Sequence, residues 1–256
     1  MIPNKSIFAV AGKGGTGKTT ISGLLIKYLT KISNTPVLSI DADPAVCLGD
    51  LLGMKVEETL GDIRESALES PEKITKSMSK QEYFDFMITS SIVESKKIDL
   101  LTMGRPEGPG CYCYVNSILR RCIDRLSDKY KYIVIDCEAG LEHLSRRTTI
   151  NIDYFFIISN ISIKGVKVAN EILNLIENLK TVAKKKILIF NRIENEKEEK
   201  VIEELLKHID INKFDYIGKI PEDKSVFNLE MKEESIINLP DDSLIFLSFV
   251  DIINKI

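Results

Sequence analysis

A glycine-rich stretch near the start of the chain has the residue types of a phosphate-binding loop. Residues 12–20 read GKGGTGKTT and lie between the apolar run Ile7–Ala11 and the amphipathic run Ile21–Ile32. Strand, glycine loop and helix in this order let successive backbone N–H groups surround an anion at the positive end of the helix. Within such a loop, Lys18 contacts the β- and γ-phosphates and the Thr19 hydroxyl binds Mg²⁺. The predicted phosphate-binding residues are Gly12, Lys13, Gly14, Gly15, Thr16, Gly17, Lys18, Thr19 and Thr20.

Acidic residues at the ends of two further apolar runs indicate a magnesium site beside this loop. The run Val37–Asp41 is followed closely by Asp43, and the run Tyr132–Asp136 ends in a single aspartate. Ligand sites of open α/β sheets collect at the carboxyl ends of strands, so we expect these carboxylates near the phosphates. Asp136 would bind Mg²⁺ directly or through water, while Asp41 and Asp43 would hold a metal-bound water and orient the attacking water. An ordinary Asx turn is the alternative for Asp43, because Asp-Pro is a common turn pair.

Two more loops complete the predicted nucleotide site. Gly140 follows Asp136 in the sequence DCEAG, and its backbone N–H would contact the γ-phosphate, so that ATP and ADP would hold this loop differently. The run Lys186–Asn191 continues into Arg192, and the stretch Asn191–Glu194 lacks the lysine and the aspartate of the NKxD signature of GTPases. ATP is therefore favoured over GTP.

A pair of cysteines, Cys111 and Cys113, follows a loop rich in glycine and proline, GRPEGPG. Thiols at i and i+2 of an extended segment project to the same side, so both can approach one metal ion. Two thiolates fill only half of a tetrahedral site, but the pair and its symmetry mate across a twofold axis would supply four sulfurs. Four sulfurs suit Zn²⁺, Ni²⁺ or Cu⁺, and they could also hold an iron–sulfur cluster. The alternative is two small buried residues at the start of a helix.

The rest of the chain alternates between short apolar runs and helical patterns. This alternation predicts an α/β fold with a mostly parallel sheet of seven or eight strands and helices on both faces. The predicted strands are Ile7–Ala11, Val37–Asp41, Ile98–Met103, Tyr132–Asp136, Tyr154–Ser159, Lys186–Asn191 and Asp215–Lys219. The predicted helices are Ile21–Ile32, Val115–Lys129, Val166–Leu179, Glu196–His208 and Leu244–Asn254. We expect one domain over residues 1–256, with a helical insertion at about 56–95.

The bulk composition excludes several classes of protein. The chain has 256 residues, 44% of them apolar and 29% charged, which predicts a globular fold with a large core. A net charge of −3 provides no general attraction to nucleic acid or anionic lipid. Neither a signal-peptide pattern nor an apolar run of about 20 residues is present, so a cytoplasmic location is expected. In that compartment the cysteines should be free thiols, with Cys47, Cys122 and Cys137 as packing residues.

Because of its additional lysine, the KGGTGKT stretch resembles the deviant Walker A motif of the MinD/ParA/nitrogenase-iron-protein class of P-loop ATPases. The resemblance implies that Lys13 reaches across a dimer interface to the nucleotide of the partner subunit. Lys13 and Lys18 are thereby implied in catalysis. Asp43, the second aspartate of the DxD pattern, is the implied water-activating residue, with Asp41 nearer the metal.

The same resemblance extends to the base of the nucleotide. In related ATPases an asparagine at the position of Asn191 contacts the edge of adenine, and the loop after the next strand closes over the base. This adds Asn191, Arg192, Pro221 and Glu222 to the predicted nucleotide-binding residues.

Four segments together resemble the CooC-type ATPases, which help to insert nickel into carbon monoxide dehydrogenase. They are KGGTGKTT, DADP, GRPEGPGCYCYVN and DCEAGLEHLSRRT. The resemblance implies that ATP and Mg²⁺ favour a homodimer in which Cys111 and Cys113 of both chains bind Ni²⁺ or Zn²⁺, and that hydrolysis loosens this dimer. The implied client is a nickel enzyme, carbon monoxide dehydrogenase or acetyl-CoA synthase, with no role for nucleic acid or membrane.

Two other functions stay open on the sequence. An electron-transfer protein like the nitrogenase iron protein needs a second cluster cysteine shortly after Asp136, and residues 141–151 contain none. A positioning ATPase like MinD or ParA needs a basic amphipathic helix for lipid or a basic surface for DNA. Residues 241–250 are acidic first and then apolar, which indicates a terminal helix packed on the core, and Lys184–Lys186 is the only dense lysine cluster.

Overall fold

The computed structural model describes residues 2–69, 79–104, 121–137, 151–178 and 182–256. Its strands are β1 (Ser6–Gly12), β2 (Val37–Asp41), β3 (Ile92–Glu94), β4 (Ile98–Thr102), β5 (Tyr132–Asp136), β6 (Asn151–Ser159), β7 (Val182–Ile193) and β8 (Tyr216–Pro221). Its helices are α1 (Lys18–Ile32), α2 (Cys47–Leu52), α3 (Leu60–Glu69), α4 (Lys80–Ser91), α5 (Ile163–Asn178), α6 (Glu196–Leu206), α7 (Lys224–Glu230) and α8 (Leu244–Lys255). Residues 121–126 are also helical.

The eight strands form one sheet in the order β3-β4-β2-β5-β1-β6-β7-β8. All neighbouring strands run parallel except β3, which pairs with β4 in the antiparallel direction at one edge. The predicted mostly parallel α/β sheet is therefore confirmed. Because β2, β5 and β1 are parallel neighbours, their carboxyl ends lie side by side at one edge of the sheet, where open α/β sheets carry their ligands.

Alternate residues of the central strand pack on opposite faces of the sheet. On β1, Phe8 and Val10 belong to a core shared with α1 and α8, whereas Ala9 and Ala11 belong to a core shared with α5 and α6. This is the period of two that a strand imposes on its side chains. Helices thus cover both faces, as the sequence predicts.

Several elements differ from the sequence prediction. The range 56–95, predicted as a helical insertion, holds α3 and α4 but ends in the edge strand β3. The short helices α2 and α7 were not predicted. β7 extends beyond Lys186–Asn191 in both directions and has a register irregularity between Phe190 and Ile193. Elements of three to seven residues contain too few repeats for a periodic pattern to identify them.

A buried lysine fixes α1 to the C-terminal part of the chain. Lys27 is 4% exposed, and its Nζ donates to the carbonyl of Ile237 at 2.9 Å and lies 3.0 Å from the carboxylate of Asp241. The same Nζ lies 5.0 Å from the centre of the Phe246 ring. A buried ammonium group is costly without partners, so these contacts hold α1 against the segment that leads into α8.

Crossing a bilayer requires a helix that is both long and apolar. Among the helices in the described ranges, none combines the necessary length with sufficient apolar character.

Candidate nucleotide and magnesium site

The phosphate loop leaves β1 at a position with no room for a side chain. A Cβ added to Gly12 would lie 2.2 Å from the carbonyl oxygen of Ile158 on β6. Further along the loop, Gly15 and Gly17 have φ angles of 79° and 86°, in the region that favours glycine. The glycines are therefore required by the path of the backbone.

The loop leads directly to the N-terminus of α1. Gly17 is the N-cap, so no side chain occupies the first N–H groups of the helix, which remain directed at the predicted phosphates. Thr16 closes the loop, because its N–H and Oγ1 both donate to the carbonyl of Lys13, at 3.3 and 2.8 Å. Lys18 is 7% exposed, whereas Lys13 is only partly buried and Gly14 is exposed. Thr16 and Lys18 thus pack against the rest of the protein, whereas the part of the loop formed by Lys13 and Gly14 is accessible to solvent.

Two carboxylates lie side by side at the ends of neighbouring strands. Asp41 of β2 and Asp136 of β5 are register partners, and both are almost completely buried. Asp136 accepts hydrogen bonds from Ser22 Oγ at 3.0 Å and from the Thr19 side chain, both on α1. Asp41 accepts from the backbone N–H of Leu48 at 2.9 Å. Carboxylate and hydroxyl oxygens are the ligands that Mg²⁺ prefers, so the residues present fit the predicted magnesium ion.

Burial changes the acidity of both carboxyl groups. It raises the pKa of Asp136 to about 7, opposed by the hydrogen bond from Thr19 and assisted by the negative charge of Asp41. Burial also raises the pKa of Asp41 to about 6, against the backbone hydrogen bond from Leu48. Two adjacent buried negative charges are unfavourable without a cation, so they would favour a divalent cation at this point.

Asp43 lies two residues beyond Asp41 and is half-buried. Its Oδ1 accepts from the N–H of Ala45 at 2.9 Å, and the turn continues into Val46, which has a φ of 53°. The Asx turn that was the alternative for Asp43 is therefore present. The turn fixes the carboxylate beside the predicted magnesium site, and the water-activating role of Asp43 stays a prediction.

A cleft beside the phosphate loop is lined by the residues predicted to contact the base. Asn191 and Arg192 come from the end of β7, and Pro221 and Glu222 follow from the end of β8. Thr20 contributes from the first turn of α1. The structure thus brings together residues from three separate parts of the sequence next to the loop.

Asn191 connects this cleft to the phosphate loop. It is 3% exposed, and its Nδ2 donates to the carbonyl of Thr16 at 2.9 Å. Its Oδ1 is buried and has no hydrogen-bond partner in the part of the chain that the structure describes. An oriented amide with an unpaired oxygen offers an acceptor, which suits the exocyclic amine of adenine and not the carbonyl oxygen of guanine.

The remaining predicted positions are the glycine after β5 and the cysteines. Gly140, Cys111 and Cys113 are outside the described residues. Within the described ranges, no group of three or more His, Cys, Asp or Glu side chains is arranged to hold a metal ion. Cys122 and Cys137 are buried as predicted, but the prediction of packing for Cys47 is wrong. Cys47 is exposed because it begins α2 directly after the polar turn formed by Asp43.

Sequence reasoning missed Ser22, which contacts Asp136. The signal was present, because Ser22 follows Thr19 by three residues and therefore lies on the same face of α1. Its hydroxyl supports the carboxylate from within the core.

The sequence matches a known family along most of its length. The profile of the CobQ/CobB/MinD/ParA nucleotide-binding domain covers residues 7–236, which include the phosphate loop, both buried carboxylates and the predicted base contacts from Asn191 to Glu222. The chain belongs to this family.

Known proteins resemble this chain at different levels of sequence identity. An uncharacterized ATP-binding protein of Methanocaldococcus jannaschii is 42% identical over 252 residues, covering 98% of this chain and 98% of that protein. The carbon monoxide dehydrogenase accessory protein CooC of Rhodospirillum rubrum is 28% identical, covering 85% of this chain and 84% of CooC. The structure of MinD from Pyrococcus horikoshii, complexed with Mg-ADP, matches with a TM-score of 0.66 at 20% identity, over 98% of this chain and 96% of that chain. The predicted P-loop NTPase fold and the assignment as an ATPase of the MinD/ParA type are confirmed.

The buried carboxyl of Asp136 makes the stability of the metal-free ATPase depend on pH. Its pKa is about 7 in the folded chain and near 4 when unfolded, so the folded state binds more protons between these values. The free energy of unfolding should therefore fall as pH rises from about 4 to 7, by up to about 1.4 kcal/mol per pH unit from this group. Asp136→Asn should remove this part of the slope and be more stable than wild type at pH 8.

This dependence is measured by urea denaturation from pH 4.5 to 8 in the presence of EDTA. Asp242→Asn, which changes an exposed carboxylate, serves as the matched control and should keep the wild-type slope. Identical slopes for wild type and Asp136→Asn would contradict the assignment of a raised pKa to this residue.

Asn191→Ala should weaken ATP binding and remove the preference for ATP over GTP. The substitution deletes both the tie to the carbonyl of Thr16 and the acceptor offered to adenine. Loss of a buried hydrogen bond costs about 1–3 kcal/mol, or roughly a factor of 5 to 150 in affinity. Competition of ATP and GTP against a fluorescent ATP analogue measures this, with the exposed Asn212→Ala as control. An unchanged ratio of the two affinities would show that Asn191 does not select the base.

Proposed function

We propose that this ATPase uses ATP to form a homodimer that carries nickel or zinc to a client enzyme. The observation that carries the ATP-dependent part is the adjacency of buried Asp41 and Asp136 beside an open phosphate loop. The thiol pair and the resemblance to CooC support the metal-carrying part. In this proposal residues 1–256 act as one domain in the cytoplasm.

The chemistry follows from the positions of the side chains. Lys18 and the first N–H groups of α1 would bind the β- and γ-phosphates. Thr19, Asp41 and Asp136 would hold Mg²⁺, directly or through water, and the ion would neutralise the charge that develops on the phosphates. Asp43 would orient the attacking water, and Gly140 would contact the γ-phosphate. Lys18 and Thr19 lie at the start of α1, and Asp41 and Asp136 lie at the ends of β2 and β5, so these four residues come together at the carboxyl edge of the sheet.

Lys13 supplies the link between nucleotide and dimer. It is half-buried and near the exposed Gly14, on the open side of the loop, and its carbonyl is already engaged by Thr16. A lysine held in this way is available to contact the phosphates of a partner subunit, as the deviant Walker A motif implies. The dimer would then depend on both nucleotides. Without a nucleotide opposite it, each Lys13 would place an unpaired charge in the interface.

Nickel or zinc would be the cargo of the dimer. Cys111 and Cys113 of each subunit would supply four thiolates on the twofold axis, which is a complete ligand set for a soft or borderline ion. Formation of the ATP dimer would assemble this site, and hydrolysis would separate its halves. The client proposed is carbon monoxide dehydrogenase or acetyl-CoA synthase.

A positioning ATPase of the MinD or ParA kind is the second candidate, since both names belong to the family description. Two observations weigh against it. The apolar face of α8, including Phe246 and Phe249, packs into the core. In the lysine cluster, Lys184 lies 2.7 Å from Asp153, and the Nζ of Lys185 donates to the backbone oxygen of Ile256. ATP-dependent cosedimentation with anionic liposomes or DNA would favour this second candidate instead.

Lys13→Ala should prevent ATP-dependent dimerisation and leave ATP binding to the monomer. The expected result is monomeric mass with ATP and Mg²⁺ where wild type is dimeric, and a strongly reduced rate of hydrolysis. Light scattering and phosphate release measure the two effects. Lys207→Ala is the matched control, because Lys207 is exposed and pairs with Glu204 after α6. A normal ATP dimer of the Lys13→Ala variant would contradict the role across the interface.

The double variant Cys111→Ser and Cys113→Ser should lose metal binding without loss of ATP binding. Wild type is expected to hold one nickel or zinc ion per dimer with ATP, and the double variant none, by elemental analysis of the gel-filtered protein. Cys47→Ser is the matched control, since it removes an exposed thiol that is not a predicted ligand. Equal metal content in wild type and the double variant would exclude the carrier function. Iron and sulfide in wild type would indicate that the cysteines hold an iron–sulfur cluster and not nickel or zinc.

A further inference from the structure

One wall of the base cleft is an aromatic side chain outside the sequence motifs of the nucleotide site. Phe227 lies on the short helix α7 and lines the cleft together with Arg192 and Pro221. It is 60% exposed, although phenylalanine is usually buried. Single exposed apolar residues are common on protein surfaces, so exposure alone does not indicate a function for Phe227. Its position in the lining of the cleft is the observation that suggests one.

A second residue in the lining of the cleft, Arg192, has an unusual backbone conformation. Arg192 has a φ of 63°, and it lies within the register irregularity between Phe190 and Ile193 of β7. Irregularities of this kind redirect a side chain at the end of a strand, and non-glycine residues in this region concentrate at functional sites. The guanidinium Nε lies 3.9 Å from the Glu222 carboxylate, and the Arg192 side chain remains 59% exposed.

The helix that carries Phe227 is held in place before any ligand binds. Asp223 caps α7 by accepting from the N–H of Ser225 at 2.8 Å. Its second oxygen accepts from the N–H of Ile245 at 3.0 Å, which joins α7 to the start of α8. Val226, next to Phe227, packs against the core. The ring is therefore positioned by contacts of its neighbours, and binding need not order a loop.

We propose that Phe227 and Arg192 hold the base of the bound nucleotide by stacking, with the ring of one and the guanidinium of the other against its π-faces. This inference rests on the proposed ATP binding and adds the source of affinity for the base. Stacking is tolerant of base identity because every base has a π-face. Asn191 would contact the edge of the base and select adenine, whereas Phe227 and Arg192 would bind adenine and guanine alike.

The absence of tryptophan from the sequence allows a direct test. Phe227→Trp places a single indole in the cleft, and its fluorescence should change on addition of ATP or GTP. Tripolyphosphate, which fills the phosphate loop without a base, should leave it nearly unchanged. Met231→Trp is the matched control, because Met231 is 69% exposed and just beyond α7 without lining the cleft. Its fluorescence should not respond to either ligand.

Affinities provide the second arm of the experiment. Phe227→Ala should weaken the binding of ATP and GTP about tenfold each, and leave the binding of tripolyphosphate as in wild type. Met231→Ala should bind all three ligands like wild type. Because Phe227 is exposed, these variants are expected to fold, which circular dichroism verifies.

The outcomes separate the inference from the function on which it rests. If wild type binds ATP but Phe227→Ala binds it equally well, or the indole of Phe227→Trp does not respond to ATP, stacking at this position is overturned and ATP binding stands. Equal losses of ATP and tripolyphosphate affinity would also overturn it, since the effect would then lie in the loop. If wild type binds neither ligand, both proposals fail.

Discussion

Two carboxylates buried next to each other at the ends of β2 and β5 impose the strongest constraint on this molecule. Asp41 and Asp136 are register partners in a parallel sheet, so their proximity is fixed by the strand pairing and cannot be relaxed by side-chain movement alone. Two adjacent buried carboxylates lower the stability of the folded state when no cation lies near them. Binding of a cation and of the phosphates of a nucleotide at this point would offset this loss of stability. The glycine loop, the uncapped start of α1 and Lys18 all lie around this point.

The nucleotide site is continuous from the metal to the base. Thr19 and Ser22 of α1 bond to Asp136, and Asn191 bonds to the carbonyl of Thr16 in the loop. Consequently the base cleft is not an independent pocket, because one of its walls is attached to the backbone that surrounds the phosphates. A change in the position of the loop would be transmitted to Asn191 through a single buried hydrogen bond.

Much of this arrangement could be predicted from the sequence, for identifiable reasons. The phosphate loop and the aspartates at strand ends were predictable because long apolar strands and fixed glycine spacings leave few alternatives. Phe227 was not, because it lies on a helix of seven residues whose pattern is too short to recognise. Arg192 was predicted only by resemblance, since its left-handed backbone arises from a strand irregularity that depends on pairing with β8. Cys47 was predicted wrongly, because the sequence indicates a possible turn at Asp43 but does not show which side of the six-residue helix α2 faces solvent.

The contacts of Lys27 give α1 a second attachment to the rest of the protein. The first turns of α1 are attached to Asp136, and its second half is attached through Lys27 to Ile237 and Asp241. These two attachments oppose a rigid shift of α1 along its axis, because such a shift would break the hydrogen bonds to Asp136 and to Ile237.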